Sequence, residues 1–148
     1  MEIINANLFD LTALRRLEKI CFEKDAWPLI DLMAVLTFPE VVRLKAIEDD
    51  RLVGFVGGDP RPHEGWGWIA TIAVDPGYRR RGIGLSLLHA CEARLNVPRV
   101  RLTVRLSNTN AITLYQQDGY QTIDLWKGYY NDGEDAQLME KILPQGEI

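Results

Sequence analysis

Residues 72 to 84, Ile-Ala-Val-Asp-Pro-Gly-Tyr-Arg-Arg-Arg-Gly-Ile-Gly, place three arginines and three glycines between an apolar run and a helical pattern. The first amides of a helix have no intrahelical partner, and the helix dipole makes that end positive. Gly82 and Gly84 carry no side chain to obstruct a ligand approaching those amides, and Arg79, Arg80 and Arg81 add charge beside them. Such a junction suits a phosphate or pyrophosphate; its bland alternative is a glycine-containing turn with basic decoration. Spacing narrows the chemistry. A nucleotide-hydrolysing P-loop needs Gly-Lys-Ser/Thr after a glycine and four residues, and no such run exists. A dinucleotide fingerprint needs a third glycine where Leu87 stands. What remains is Arg79-x-x-Gly82-x-Gly84 behind a strand ending Val74-Asp75-Pro76.

Two further segments share the second half of the chain. Residues 102 to 120 run Leu-Thr-Val-Arg-Leu-Ser-Asn-Thr-Asn-Ala-Ile-Thr-Leu-Tyr-Gln-Gln-Asp-Gly-Tyr, and Gly128-Tyr129-Tyr130 is followed by Glu134-Asp135-Ala136-Gln137-Leu138-Met139. The arginine-glycine loop resembles the acetyl-coenzyme A loop of the GNAT superfamily of N-acetyltransferases, whose pattern is Gln/Arg-x-x-Gly-x-Gly/Ala. Residues 102 to 120 resemble the other half of that coenzyme site, including its Asn-x-x-Ala-Ile-x-Leu-Tyr-x-x-x-Gly-Tyr/Phe series. The third stretch is similar to the Tyr-Tyr and Glu-Asp-Ala-x-x-Met elements of N-terminal acetyltransferases, notably the bacterial enzymes that modify ribosomal proteins at alanine. The resemblance is close over residues 70 to 142 and rests on element order before that.

The resemblance implies roles for individual residues. The amides of Arg80, Arg81, Gly82, Ile83 and Gly84 would hold the pyrophosphate of acetyl-coenzyme A. The strand Ile72-Ala73-Val74 would pair with the pantetheine arm, and the side chains of Arg79, Arg80 and Arg81 would meet the remaining phosphate. Asn108, Ala111 and Tyr115 would lie near the coenzyme, although Asn108 could equally be a helix cap. Attack of a neutral amine on the thioester needs an oxyanion donor, a base and an acid for the leaving thiolate. The backbone N–H of Val74 is the implied oxyanion donor. Tyr115 is the implied acid, with a core tyrosine as the alternative. No base is assigned, because Thr103 stands where related enzymes often have Glu or His, while His63 and Glu64 read as loop residues.

A missing base bears on the acceptor. An α-amine of pKa about 7.7 to 8.0 is roughly a tenth neutral at pH 7, whereas a lysine amine near 10.4 is about 3.5 kcal/mol further from its neutral form. A protein or peptide N-terminus is therefore the expected acceptor. Tyr129 and Tyr130 could clamp its main chain, or pack at a sheet edge. Trp27, with Trp66, Trp68 and Trp126, could line the acceptor site or serve as core. A small amine such as a polyamine or aminoglycoside is the alternative acceptor, and a non-catalytic coenzyme A-binding domain the alternative class.

These residues must be positioned by one fold. Helical spacing of Leu11, Leu14, Leu17 and Cys21 predicts a helix over about 8 to 23 with Asp10 as its cap, and a second helix spans about 29 to 37 before Pro39. Val41 to Glu48 and Leu52 to Val56 predict a hairpin turning at Asp49-Asp50-Arg51. Gly57 to Pro62 reads as a loop and Trp66 to Val74 as a strand. A helical stripe from Ile83 to Leu95, a strand Arg99 to Arg105, a helix ending at Gln117 before Gly119, and strands near Tyr120 to Leu125 and Ala136 to Ile142 complete the chain. With a short strand at Ile3-Ile4 the order is βααβββαβαββ. The expected class is α/β. The resemblance implies a single mixed, mostly antiparallel sheet of six to seven strands, about four helices and a V-shaped splay between the central strands.

Composition agrees with one such domain over residues 1 to 148: 47 % apolar and 26 % charged residues exclude a disordered or collagen-like chain. No run suits a membrane span and the N-terminus lacks a signal-peptide pattern, so a cytoplasmic protein without a membrane partner is expected, as monomer or homodimer. Cys21 and Cys91 are read as small core residues, and no metal site is expected. The net charge of −4 resolves into −5 over residues 1 to 78, +6 over 79 to 105 and −5 over 106 to 148. The basic segment is short and the whole is acidic, which argues against nucleic acid.

Overall fold

The computed structural model describes residues 1–144, which fall into two compact units. The first comprises Met1–Pro60 and Ile69–Asn96; the second comprises Arg61–Trp68 and the described residues from Val97 onward. The chain runs β1 (Glu2–Asn5), α1 (Leu11–Cys21), α2 (Leu29–Thr37), β2 (Val42–Glu48), β3 (Arg51–Arg61) and β4 (Trp66–Val74). It continues through α3 (Ile83–Leu95), β5 (Arg99–Arg105), α4 (Thr109–Gln117), β6 (Gln121–Trp126) and β7 (Ala136–Ile142). The strands join one sheet in the order β1-β2-β3-β4-β5-β7-β6, so the mixed α/β class holds. Among the described residues no helix is long and apolar enough to cross a membrane.

In the first unit, Leu14, Leu17, Leu32, Val35, Leu36, Phe55 and Ala73 form a core between α1, α2 and the strands beneath them. Helix α1 starts later than its periodicity suggests. Leu8–Asp10 is a separate 3-10 turn capped by Asn7, whose side chain accepts from Phe9 N–H, while Asp10 reaches back to Asn7 N–H. Asp10 therefore does not cap α1; its carboxylate also pairs with Lys45 at 2.8 Å. Asp49 and Asp50 both take positive φ (54° and 58°), the backbone of a tight two-residue hairpin turn.

The larger correction concerns Gly57 to Pro62, read as a loop: all of it but Pro62 is strand, because β3 continues to Arg61. Its glycines mark close approach of helices rather than a turn. A Cβ at Gly58 would stand 2.6 Å from Cys91 Sγ, and one at Gly54 2.8 Å from Leu87 Cδ1, both on α3. A Cβ at Gly57 would stand 3.1 Å from Val35 of α2. The strand is bare because helices press on both its faces. Cys91 is buried and Cys21 half-buried, both as free thiols.

In the second unit, β5 pairs antiparallel with β7 along its whole length, from Arg99 opposite Ile142 to Arg105 opposite Ala136. Val100, Leu102 and Val104 are buried on one face of β5, with Met139 opposite Leu102, while Leu138 is buried on the other face opposite Thr103; Ile112 and Tyr120 are buried as well. Gly67 and Trp68 of β4 pair in parallel with Val100 and Arg101, and the β4–β5 ladder comprises those two positions. Helix α4 stops at Gly119 (φ 101°) as expected, with Tyr120 N–H closing onto Tyr115 C=O at 2.9 Å. Strand β6 is an edge of the sheet. Its register on β7 shifts between Thr122 and Asp124, leaving Ile123 outside the ladder.

Candidate active site

The first unit carries the arginine-glycine loop. After β4, Asp75 caps a 3-10 turn over Pro76–Tyr78 by accepting from Gly77 N–H at 2.9 Å, and Tyr78 donates its hydroxyl to Asp49 at 3.3 Å. The chain then passes through two left-handed residues, Arg80 (φ 65°) and Gly82 (φ 78°). A non-glycine residue there is uncommon and costs conformational energy, which concentrates at ligand-binding sites. Gly82 is the residue before α3, and no side chain caps that helix. The first intrahelical bond runs from Ser86 N–H to Gly82 C=O, so the amides of Ile83, Gly84 and Leu85 precede the helical ladder. A Cβ at Gly82 would meet no atom within 4 Å; the glycine is there for its φ.

Two of the loop's arginines have partners in the protein. Arg79 Nε donates to Val74 C=O at 3.1 Å, and Arg81 lies 3.7 Å from Glu48 and over the Tyr78 ring. Val74 C=O also accepts from Cys21 Sγ at 3.3 Å, so both its lone pairs are engaged. Ile72 and Val74 are half-buried and Ala73 is buried in the core. Trp27, half-buried, packs against the α1–α2 core.

The first unit also holds a titratable group that periodicity hides. Glu18 is 1 % exposed on the inner face of α1. One oxygen accepts from Thr71 Oγ1 of β4 at 3.1 Å and the other has no partner. Burial, against that one hydrogen bond, pushes its pKa up to about 7. The signal in the sequence is an acid set four residues after Leu14 and three before Cys21, within the apolar stripe.

The second unit carries the remaining expected residues. Tyr115 packs edge-on against Tyr120, with ring centroids 5.8 Å apart. Burial first, and the neighbouring Tyr130 second, push its phenol up to about 12, so it holds its proton throughout the physiological range. Asn108 caps α4 by accepting from Ala111 N–H at 3.3 Å. Thr103 lies half-buried on β5 opposite Leu138. His63 and Glu64 sit exposed in the turn before β4. Tyr129 and Tyr130 belong to a row of aromatic contacts: Trp68 to Trp126 at 6.2 Å, Trp126 to Tyr129 at 5.3 Å and Tyr129 to Tyr130 at 5.1 Å. Trp66 instead stacks under Arg101, 3.9 Å from the guanidinium.

Residues 11–120 match the model of the acetyltransferase (GNAT) family. An N-alpha-acetyltransferase of Sulfurisphaera tokodaii is 31% identical over 155 residues, covering 93% of this chain and 90% of the relative. The crystal structure of the ribosomal-protein-S18-alanine N-acetyltransferase from Escherichia coli superposes with a TM-score of 0.87 at 25% identity, over 99% of this chain and 96% of that one. The Arabidopsis thaliana NAA60 structure in complex with acetyl-CoA shares the fold, with a TM-score of 0.83 at 20% identity over 96% and 98% of the two chains.

Proposed function

The chain belongs to the GNAT acetyltransferase family, and we propose that it transfers the acetyl group of acetyl-coenzyme A to the α-amine of a protein or peptide. The loop Gly128–Glu134 carries this reading, because it presents two adjacent tyrosines, one of them close enough to Tyr115 to raise its proton affinity. The loop before α3 fits the coenzyme. Its left-handed residues and uncapped helix amides supply main-chain donors for a pyrophosphate.

In this reading the amides of Arg80 to Gly84 bind the pyrophosphate and the Ile72–Val74 strand orients the pantetheine arm. Val74 N–H stabilises the oxyanion as the neutral amine attacks the thioester carbonyl. The C–S bond then breaks, and Tyr115 gives its proton to the departing thiolate. The amine loses its proton to solvent rather than to a dedicated base, a route open to an α-amine and closed in practice to lysine. Asn108 serves as helix cap, and Tyr129 and Tyr130 hold the peptide main chain.

We take residues 1–148 as one acetyltransferase domain, since the family match at 11–120 runs through both units. It works as a monomer or homodimer in the cytoplasm. We infer no nucleic-acid partner, which is supported by the ion pairs of Arg81, Arg99, Arg101 and Arg105 of the basic segment with Glu48, Glu140, Asp132 and Glu134. The test is acetylation of a peptide panel varied at the first residue, alongside spermidine and an aminoglycoside, followed by thiol release and mass spectrometry. Acetyl groups on peptide α-amines are expected. Turnover of the free amines alone would replace the reading with a small-amine transferase, and coenzyme binding without any turnover would make the domain a binding module.

A further inference from the structure

The Glu134-Asp135 pair has a role in the structure that the reaction leaves unused. Glu134 accepts from Arg105 Nη1 at 2.7 Å through one carboxylate oxygen and from Ser107 N–H at 2.9 Å through the other. Its main chain grips the loop it closes: its C=O accepts from Tyr130 N–H at 3.2 Å, and its N–H donates to Asp132 Oδ1 at 3.1 Å. Asp135 repeats the pattern, accepting from Gly128 N–H at 2.9 Å through its side chain and from Leu106 N–H at 3.1 Å through its C=O. Arg105 Nη1 also meets both oxygens of Asp132 at 3.0 Å, while the guanidinium lies over the Tyr130 ring, 4.2 Å from its centroid.

Tyr130 is thus held at its ring face by the last residue of β5 and at its amide by Glu134. The same two acids hold Leu106 and Ser107, the turn that opens the helix of Tyr115. A planar guanidinium that stacks on a ring while bridging two carboxylates fixes orientation as well as distance. These side chains are partly exposed, and ion pairs of that kind contribute little to global stability. Their effect is local, on where Tyr130 stands.

Resting on the reading of Tyr129 and Tyr130 as the acceptor clamp, we propose that Arg105 and Glu134 are positioning residues. They set the place of Tyr130 and tie the acceptor loop to the turn that opens α4. They touch no reacting atom and act through Tyr130.

A double-mutant cycle of Arg105→Met with Tyr130→Ala tests this, with Glu134→Ala as a second disruption. Arg105→Met and Glu134→Ala are each expected to raise acceptor KM about tenfold with acetyl-CoA KM changed less than twofold. In the Tyr130→Ala background Arg105→Met should add almost nothing. Unchanged acceptor KM in both single variants, or effects that simply add, would overturn the assignment. A readout without turnover separates this from the acceptor reading: the 19F resonance of 3-fluorotyrosine at position 130 should shift and broaden in both variants. If the wild type acetylates no peptide, the acceptor reading falls by itself. The tether then stands if the resonance moves and fails if it does not.

Discussion

In the function proposed above, the main chain of residues 75–84 is the recognition element, whereas in residues 127–135 the side chains are. The first loop bends through left-handed Arg80 and Gly82 to leave helix amides uncapped, and folds Arg79 and Arg81 back toward Val74 and Glu48. The second ties its Gly128 and Glu134 amides to its own acids and holds two tyrosines side by side. The contrast matches the two substrates. A coenzyme is the same in every turnover, and main-chain donors bind it at little side-chain entropy cost. An acceptor differs between enzymes of one fold, and exchangeable side chains on a braced loop can follow it.

The sharpest break of this contrast should come from Tyr115→Phe, which removes the proposed acid. It is expected to lower kcat about 100-fold with acetyl-CoA KM unchanged, and wild-type kcat in steady-state assays would remove Tyr115 from the chemistry. In the wild type the phenol, pushed up to about 12, should leave the rate rising with pH through the amine's own range, with no fall below about pH 10.

The two glutamates sharpen the same contrast. Glu18 is buried with one hydrogen bond, while Ser107 and then Arg105 hold the half-buried Glu134 below the usual carboxylate range. Because Glu18 is raised from 4.5 to about 7, the native state keeps its proton at pH values where the unfolded chain has lost it. Its contribution to stability is therefore full below pH 4.5 and is lost as pH rises through 7. Glu18→Gln should stabilise the protein by about 3 kcal/mol at pH 8 and little at pH 4. Urea titrations at the two pH values check this, and an equal gain at both would refute it.

The smallest of the three effects belongs to Gly82→Val. A Cβ there meets nothing, so the cost is purely the positive φ, about 1–2 kcal/mol for a branched residue. Acetyl-CoA KM should rise roughly tenfold while acceptor KM holds, the reverse of the pattern expected for Arg105→Met. A rise in acceptor KM instead would show that the two loops do not divide their work.

How far the site is legible in the sequence follows from the same division. A site made of backbone leaves its mark as glycine spacing, so Arg79-x-x-Gly82-x-Gly84 and the stop at Gly119 can be read directly. A site made of side chains distant in the sequence leaves little local mark: Arg105 and Glu134 are 29 residues apart and meet where the loop before β7 joins the β5–β7 ladder. Their acids are visible only as a motif without a purpose. Glu18 is concealed for another reason, since one acid in an apolar stripe barely alters a helical pattern. Gly57 to Pro62 misleads because glycine marks both turns and crowded strands, and only the positions of Cys91, Leu95 and Val35 tell them apart.

The bulge in β6 has a consequence for behaviour in concentrated solution. An edge strand with Ile123 and Leu125 exposed offers an apolar, hydrogen-bonding template on which copies could stack. Here Ile123 stands outside the ladder, and the carboxylate of Asp124 takes the Leu125 amide at 2.8 Å and the Trp126 indole at 3.2 Å. One residue thereby withdraws a donor from the rim and places a negative charge on it, a gatekeeper against sheet-to-sheet aggregation.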